Sequence, residues 1–350
     1  MKVLLATLDS VRTLQGGVEW YVHRLAKALA DEGHDVTVAT RRGGEHDGVR
    51  YEGTRLPPLP SSHRTRLLLE RPFALHVRKL AKAADVVHGQ NADGMGALGV
   101  APLVATVHTT PLDEWASSRL GGWREALYQR PIQDATVARW RRFAQRAAHV
   151  WTPGEHVARS LRELGARRVE VLPNPVPPLP RHDPREARAK LGLPEGPLVL
   201  YLGRLARVKR VDRLLEAVRQ MRDTHLVIAG EGPEEAELRK AAGERVRFLG
   251  RVDEPTKAML LQAADVLCLP SEHEGQPLVL LEAMSVGTPV VATDAAWVPP
   301  ELREYGLWGD ALPHLLKTAM SRKRGAAAPV MGYRETARRM SRVYEEVARR

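Results

Sequence analysis

Short apolar runs alternate with amphipathic stretches along nearly the whole chain. Val3 to Leu8 is a run of the first kind, closed by Asp9, and reads as a buried parallel strand. After a polar loop holding Gly16-Gly17, the residues Val18, Tyr21, Val22, Leu25 and Leu29 recur at helical spacing, and Gly33 stops the pattern. Val36 to Ala39 is again a strand. Strand, glycine loop, helix and strand in that order make a βαβ unit, whose crossover helix covers the sheet.

The alternation continues. Pro57 to Ser62 is an irregular connection, and Arg64 to Ala84 reads as helix. Asp85 to His88 and Leu103 to His108 read as strands, each ending in a histidine. Arg124 to Ala148 predicts one or two basic helices, and Val150 to Thr152 and Val169 to Leu172 predict short strands. Leu172 to Pro180 carries five prolines, which excludes helix and central sheet and marks a linker.

The second half repeats the scheme. Leu198–Leu202, His225–Ala229, Val246–Leu249, Asp265–Leu269 and Pro289–Thr293 read as strands. Helical patterns over Val211–Met221, Glu234–Gly243 and Thr256–Ala263 lie between them. Pro277 suits the first turn of a further helix. The fold class is therefore α/β, with two Rossmann-like, doubly wound domains in tandem. The boundaries read as 1–173, a linker at 174–182, a second domain at 183–332, and a terminal helix at 333–350 that packs back on the first domain.

A length of 350 residues agrees with two cores rather than one. The single cysteine, Cys268, lies in an apolar run and reads as a buried thiol. The apolar stretch after Met1-Lys2 is too short for a secretory signal core, and no run approaches the roughly 20 residues of a membrane span. The expectation is a soluble, cytoplasmic protein. Net charge is +11, from 53 basic and 42 acidic residues spread along the chain. That balance admits nucleic acid, an anionic membrane or phosphorylated ligands as partners, and plain arginine-rich composition explains it equally well. The segment from Arg50 to Lys82 is the exception, because its basic residues are interleaved with Leu67, Leu68, Leu69, Phe73 and Leu75. It reads as a basic acceptor-binding face or solvated helix, and as a candidate for peripheral contact with the inner face of an anionic membrane.

Candidate chemistry gathers where strands end, since open α/β sheets bind ligands beyond the carboxyl ends of their strands. Gly16-Gly17 precedes a helix, where backbone N–H groups and the helix dipole favour a phosphate, although a simple βα turn has the same pattern. Gly203-Arg204 closes a strand and Lys209 follows five residues after Arg204, so two cations are available for a diphosphate. A solvated loop is the alternative. Glu274 lies in a loop that also holds Gly275, Gln276, Pro277 and Leu278, and can accept hydrogen bonds from sugar hydroxyls. Glu282, eight residues on, lies among apolar neighbours, and one carboxylate can take both hydroxyls of a ribose. His108 can donate to a sugar oxygen or assist proton transfer, although a lone histidine is as readily structural and His88 occupies a similar place. No Asp-x-Asp and no histidine or cysteine cluster has metal spacing, so the basic residues would take a metal's part.

Gly16-Gly-Val-Glu19, Gly33-His-Asp-Val36, Leu202-Gly-Arg-Leu205, the run from Lys209 to Ala217, and Glu274-x7-Glu282 followed by Ala-Met-Ser-Val-Gly-Thr-Pro-Val-Val291 together resemble glycosyltransferase family 4. The resemblance implies the GT-B fold, two Rossmann-like domains facing a central cleft, with the acceptor on the first and the nucleotide sugar on the second. It implies transfer from a UDP- or GDP-linked sugar with retention, with neither metal nor cofactor. By the same resemblance, Gly17 approaches the donor phosphates, and Arg204 and Lys209 bind the diphosphate. Glu274 and the backbone from Gly275 to Leu278 hold the sugar, Glu282 the ribose, and Val252 the base, with His108 near the reacting sugar. The chain departs from the family at Asn174-Pro175 and at Asp294 to Glu301, which puts the ligand contacts of that second loop in question. A sugar-nucleotide epimerase on the same fold is a second reading. A nucleic-acid binder is a third, motivated by charge and lacking a recognisable module.

Overall fold

The computed structural model describes all residues except 12–15, 55–62, 114–122 and 323, and additionally leaves aside the side chains of 63–68 and 123–133. The connection read at Pro57 to Ser62, and much of the basic segment from Arg50 to Lys82, lie outside the described residues. The chain divides into two compact units, Met1–Pro175 with Met331–Arg350, and Val176–Val330.

The first unit runs β1 (Lys2–Ala6), α1 (Gly17–Asp31), β2 (Asp35–Thr40), β3 (Gly44–His46), β4 (Val49–Gly53), α2 (His63–Ala81), β5 (Val86–Gln90), β6 (Leu103–Thr106), α3 (Trp123–Arg146), β7 (His149–Thr152), α4 (Glu155–Glu163) and β8 (Val169–Val171). Its sheet order is β3-β4-β2-β1-β5-β6-β7-β8, parallel except for the β3–β4 hairpin. The hairpin was not anticipated, because its strands are short and mostly exposed and carry no apolar run. The basic stretch after Arg124 is a single helix. Phe73 is buried in the core, whereas Leu75 on the same helix is 69% exposed beside Arg71, Arg78, Lys79 and Lys82, which are also exposed. Among the described side chains, the apolar content of that basic face is thus Leu75, and Phe73 does not contribute to it.

The second unit runs α5 (Pro184–Lys190), β9 (Leu198–Leu202), α6 (Val211–Arg219), β10 (His225–Ala229), α7 (Glu235–Ala241), β11 (Val246–Gly250), α8 (Glu254–Ala263), β12 (Val266–Leu269), α9 (Leu278–Ser285), β13 (Val290–Ala292), β14 (Gly306–Trp308) and α10 (Leu312–Ser321). All six strands are parallel, in the order β11-β10-β9-β12-β13-β14. Pro277 caps α9 from outside rather than lying in its first turn. Residues at the start of this unit are held on it: Gln262 Nε2 donates to the Pro180 carbonyl at 2.8 Å, and the His182 amide donates to Gln262 Oε1 at 3.0 Å.

The last helix, α11 (Tyr333–Ala348), packs on α1 in the first unit. Its Tyr344 Oη lies 2.5 Å from His88 Nδ1, while His88 Nε2 lies 2.8 Å from Thr106 Oγ1. His88 is fully buried, and its ring ties the terminal helix to β5 and β6. Among the described residues, no helix is long and apolar enough to cross a membrane.

In each unit the strand order reverses beside the first strand, between β1 and β5 and between β9 and β12. These are the switch points, where loops splay apart and leave a crevice at the strands' carboxyl ends.

Candidate active site

At the switch point of the second unit, the loop after β9 and the loop after β12 are stapled together. The Glu272 amide donates to the Val208 carbonyl at 2.9 Å. Arg210 pairs with Glu272, and its guanidinium also grips Asp212 with Nη2 at 3.0 Å from Oδ2. Arg210 adopts a left-handed conformation (φ 49°) at the start of α6, and the two carboxylates hold its side chain there. Beside it, Lys209 Nζ lies 2.7 Å from Glu274 Oε1. The same carboxylate oxygen accepts from the Ser271 hydroxyl at 2.7 Å. Two residues predicted separately, one as a phosphate cation and one as a sugar ligand, are therefore an ion pair.

The turn carrying Gly203 and Arg204 is fixed from below. The Tyr201 hydroxyl donates to the Arg204 carbonyl at 2.9 Å. Burial, and after it the Glu274 charge, hold that phenol protonated far above its usual range. Gly230 (φ 142°) packs so closely that a Cβ there would lie 1.9 Å from the Gly203 carbonyl oxygen. The Arg204 side chain is exposed and has no ion-pair partner among the described residues. An exposed guanidinium without such a partner is free to meet a dianionic ligand.

Glu282 is 3% exposed and is not the surface charge that a helical glutamate usually is. Lys257 Nζ, itself largely buried, lies 2.7 Å from Glu282 Oε1 and 2.9 Å from Glu254 Oε2. Lys257 was not among the predicted site residues. Its signal was a lysine on the side of the 256–263 helix that carries Leu260 and Leu261, where a charge needs a partner. Gln276 is buried in the loop that leads to α9. Val252 follows β11, next to Asp253, whose carboxylate caps α8 by accepting from the Thr256 amide at 2.9 Å. Among the described residues, no group of three or more histidine, cysteine or acidic side chains is placed to hold a metal.

The first unit has its own cluster. Gly16 caps α1, and a Cβ at Gly16 would meet Glu19 Oε2 at 2.5 Å, so the Glu19 carboxylate sits over the helix start beside Gly17. A ligand phosphate reaching those N–H groups meets that carboxylate too. Four residues beyond Gly17, the Tyr21 ring meets His108 edge-on at 5.1 Å. The His108 amide donates to Asn91 Oδ1 at 3.0 Å, and His108 Nε2 lies 3.1 Å from Gln90 Oε1. An amide oxygen only accepts, so Nε2 carries the proton and Nδ1 is left as an acceptor. Desolvation pushes the imidazole down to about 4, which keeps it neutral. The N–H that sequence reasoning offered to a sugar oxygen is thus committed to Gln90.

Two family models match the chain. One, described as Glycosyltransferase Family 4, spans residues 15–178, and the other, described as Glycosyl transferases group 1, spans residues 196–318. The chain is 31% identical to a phosphatidyl-myo-inositol mannosyltransferase of Mycobacterium leprae, over 95% of this chain and 94% of that protein. Among solved structures it resembles sucrose-phosphate synthase from Thermosynechococcus elongatus, with a TM-score of 0.78 at 20% identity, covering 99% of this chain and 98% of that one. It also resembles Anabaena Alr3699/HepE in complex with UDP-glucose, with a TM-score of 0.71 at 20% identity, covering 100% and 98% of the two chains.

Proposed function

The chain belongs to glycosyltransferase family 4, with the GT-B fold, and on that premise we propose that it moves a hexosyl group from a nucleoside diphosphate sugar to an acceptor hydroxyl, with retention and without a metal. One observation carries this reading. At the switch point of the second sheet, two stapled loops carry an exposed arginine and a part-buried lysine–carboxylate pair. In this reading Arg204 and Lys209 neutralise a diphosphate as its bond to the anomeric carbon breaks, which is the task a metal would otherwise perform. Glu274 holds the sugar. In this reading Glu282, paired with Lys257, takes the ribose hydroxyls and Val252 meets the base. The acceptor oxygen then attacks from the face that the diphosphate leaves, and its proton passes to the departing diphosphate oxygen. The roles of His108 near the reacting sugar and of Gly17 near the phosphates rest on the family resemblance, with His108 Nδ1 left as an acceptor and Gly17 at the start of α1.

The donor is a GDP- or UDP-linked hexose. A relative named as a mannosyltransferase supports a mannosyl group, and a neighbour of the same fold that holds UDP-glucose supports a UDP-linked donor. The test is thermal stabilisation by GDP-mannose and UDP-glucose, followed by hydrolysis of the one that binds, with and without a chelator. A bound donor at a hundred times its dissociation constant adds about 2.7 kcal/mol of apparent stability. No stabilisation by either donor, or hydrolysis abolished by the chelator, would count against the reading. Exposed Leu75 among Arg71, Arg78, Lys79 and Lys82 supports peripheral contact with an anionic surface near a lipid acceptor. Co-sedimentation with vesicles that does not depend on anionic lipid would remove that part.

A further inference from the structure

Glu274 is an unevenly used carboxylate. Both of its protein hydrogen bonds, from Lys209 Nζ and from the Ser271 hydroxyl, are 2.7 Å long and end on Oε1. Among the described residues, no hydrogen bond ends on Oε2. The side chain is 11% exposed, so water reaches little of it. Ser271 is itself fully buried. Its carbonyl accepts from the Thr293 hydroxyl at 2.5 Å, and the Thr293 amide in turn reaches the Leu269 carbonyl at 3.3 Å. The loop after β13 thus props the loop after β12 at Ser271, and Ser271 props Glu274.

We propose that Ser271 is a positioning residue for glycosyl transfer: with Lys209 it saturates Glu274 Oε1 and turns the carboxylate so that Oε2 is presented to a hydroxyl of the donor sugar. This rests on the glycosyltransferase reading above. A carboxylate oxygen that already accepts from an ammonium and a hydroxyl has little capacity left, whereas its twin keeps both lone pairs. A carboxylate rotates readily about its last bond, so two donors fixed on one oxygen select one orientation before the ligand arrives, and the sugar does not have to impose it. Lys209 alone would not do this, because the same reading assigns it to the diphosphate, and a bound diphosphate competes for its ammonium. Ser271 keeps its grip when Lys209 turns to the phosphate. The serine therefore acts on the sugar end of the donor and leaves the nucleotide end alone.

The test compares the full chain with Ser271→Ala, Ser271→Cys and Ser271→Thr. Calorimetry measures binding of GDP, UDP, GDP-mannose and UDP-glucose, and a coupled assay measures hydrolysis of the nucleotide sugar that binds. Losing a hydrogen bond to a charged group is expected to weaken nucleotide-sugar binding and hydrolysis by about tenfold in Ser271→Ala, with the diphosphate alone bound within about twofold of the parent. Ser271→Thr, which keeps the hydroxyl, is expected to recover most of the loss. Ser271→Cys, with a weak donor of similar size, is expected to fall between, and it carries the test if the alanine variant does not fold. Unchanged sugar binding and hydrolysis in Ser271→Ala or Ser271→Cys would overturn the assignment. So would an equal loss for the diphosphate and the nucleotide sugar, which would mean general damage to the loop. A parent chain that binds none of the four probes would instead remove the glycosyltransferase reading, and this inference with it.

Discussion

Lys209 and Glu274 form a part-buried ion pair, Nζ to Oε1 at 2.7 Å, that joins the loop after β9 to the loop after β12 across the switch point of the second sheet. The pair couples the group assigned to the diphosphate with the group assigned to the sugar. Lys209→Ala is expected to lower donor hydrolysis and transfer by about 10²–10³, the usual loss when a charge-stabilising donor is removed. Stability should fall by about 1–3 kcal/mol, since Glu274 at 11% exposure loses its cation but keeps its bond from Ser271. Steady-state rates read beside thermal unfolding check both halves. A full rate in the variant would take Lys209 out of the site.

Lys257 and Glu282 behave differently, because both are buried. Lys257→Met leaves Glu282, at 4% side-chain exposure, without its nearest cation and is expected to cost about 3–5 kcal/mol. Replacing both, as Lys257→Met with Glu282→Leu, should restore most of that stability while leaving donor binding lost, since the apolar pair packs without a buried charge and Glu254, which also loses Lys257, is 33% exposed. Urea titration together with nucleotide-sugar calorimetry separates the two effects. Donor binding retained by the double variant would deny Glu282 its ribose role.

The sheet was legible because buried parallel strands read as apolar runs, and Leu198–Leu202 and His225–Ala229 lie where those runs are. The acidic loop from Ser271 to Glu282 was legible because a charged, glycine-bearing stretch directly follows such a run. What the loops do to one another was not. Lys209 and Glu274 are 65 positions apart and Lys257 and Glu282 are 25 apart, and no local pattern couples residues across that distance. Tyr201 and Ser271 were hidden for another reason. A tyrosine in a strand and a serine in a loop are ordinary, and only the hydrogen bonds that they make give them a part. The hairpin at β3 and β4 and the helix at Leu312–Ser321 escaped because neither has an uninterrupted apolar signature.

Gly230 tests how tightly the turn at Gly203 and Arg204 is held. Its φ of 142° disfavours any side chain, and an added Cβ would lie 1.9 Å from the Gly203 carbonyl oxygen, a backbone atom that cannot step aside. Gly230→Ala is expected to destabilise the protein by about 2–3 kcal/mol and to weaken diphosphate binding by moving Arg204. Gly243→Ala is the control, because a Cβ there meets nothing within 4 Å. Equal stabilities for the two variants would show that the turn yields easily.

His88 and His108 set the acid limb of stability. Burial pushes His88 down to about 3 and His108 down to about 4, whereas both return to about 6.5 when the chain unfolds. The unfolded chain therefore binds more protons below pH 6.5, and stability falls as pH falls through that window toward the folded values. Above about pH 7.5 both rings are neutral in both states and contribute no slope. Each histidine adds at most about 1.4 kcal/mol per pH unit. Between pH 6.5 and 5, above most carboxylates, the decline in the urea midpoint should therefore be steep. His88→Gln removes one of these groups and should be less stable at pH 8, since Tyr344 and Thr106 lose their partner, yet show a shallower decline. Parallel profiles for the parent and His88→Gln would mean that His88 takes up its proton without leaving its place between Tyr344 and Thr106.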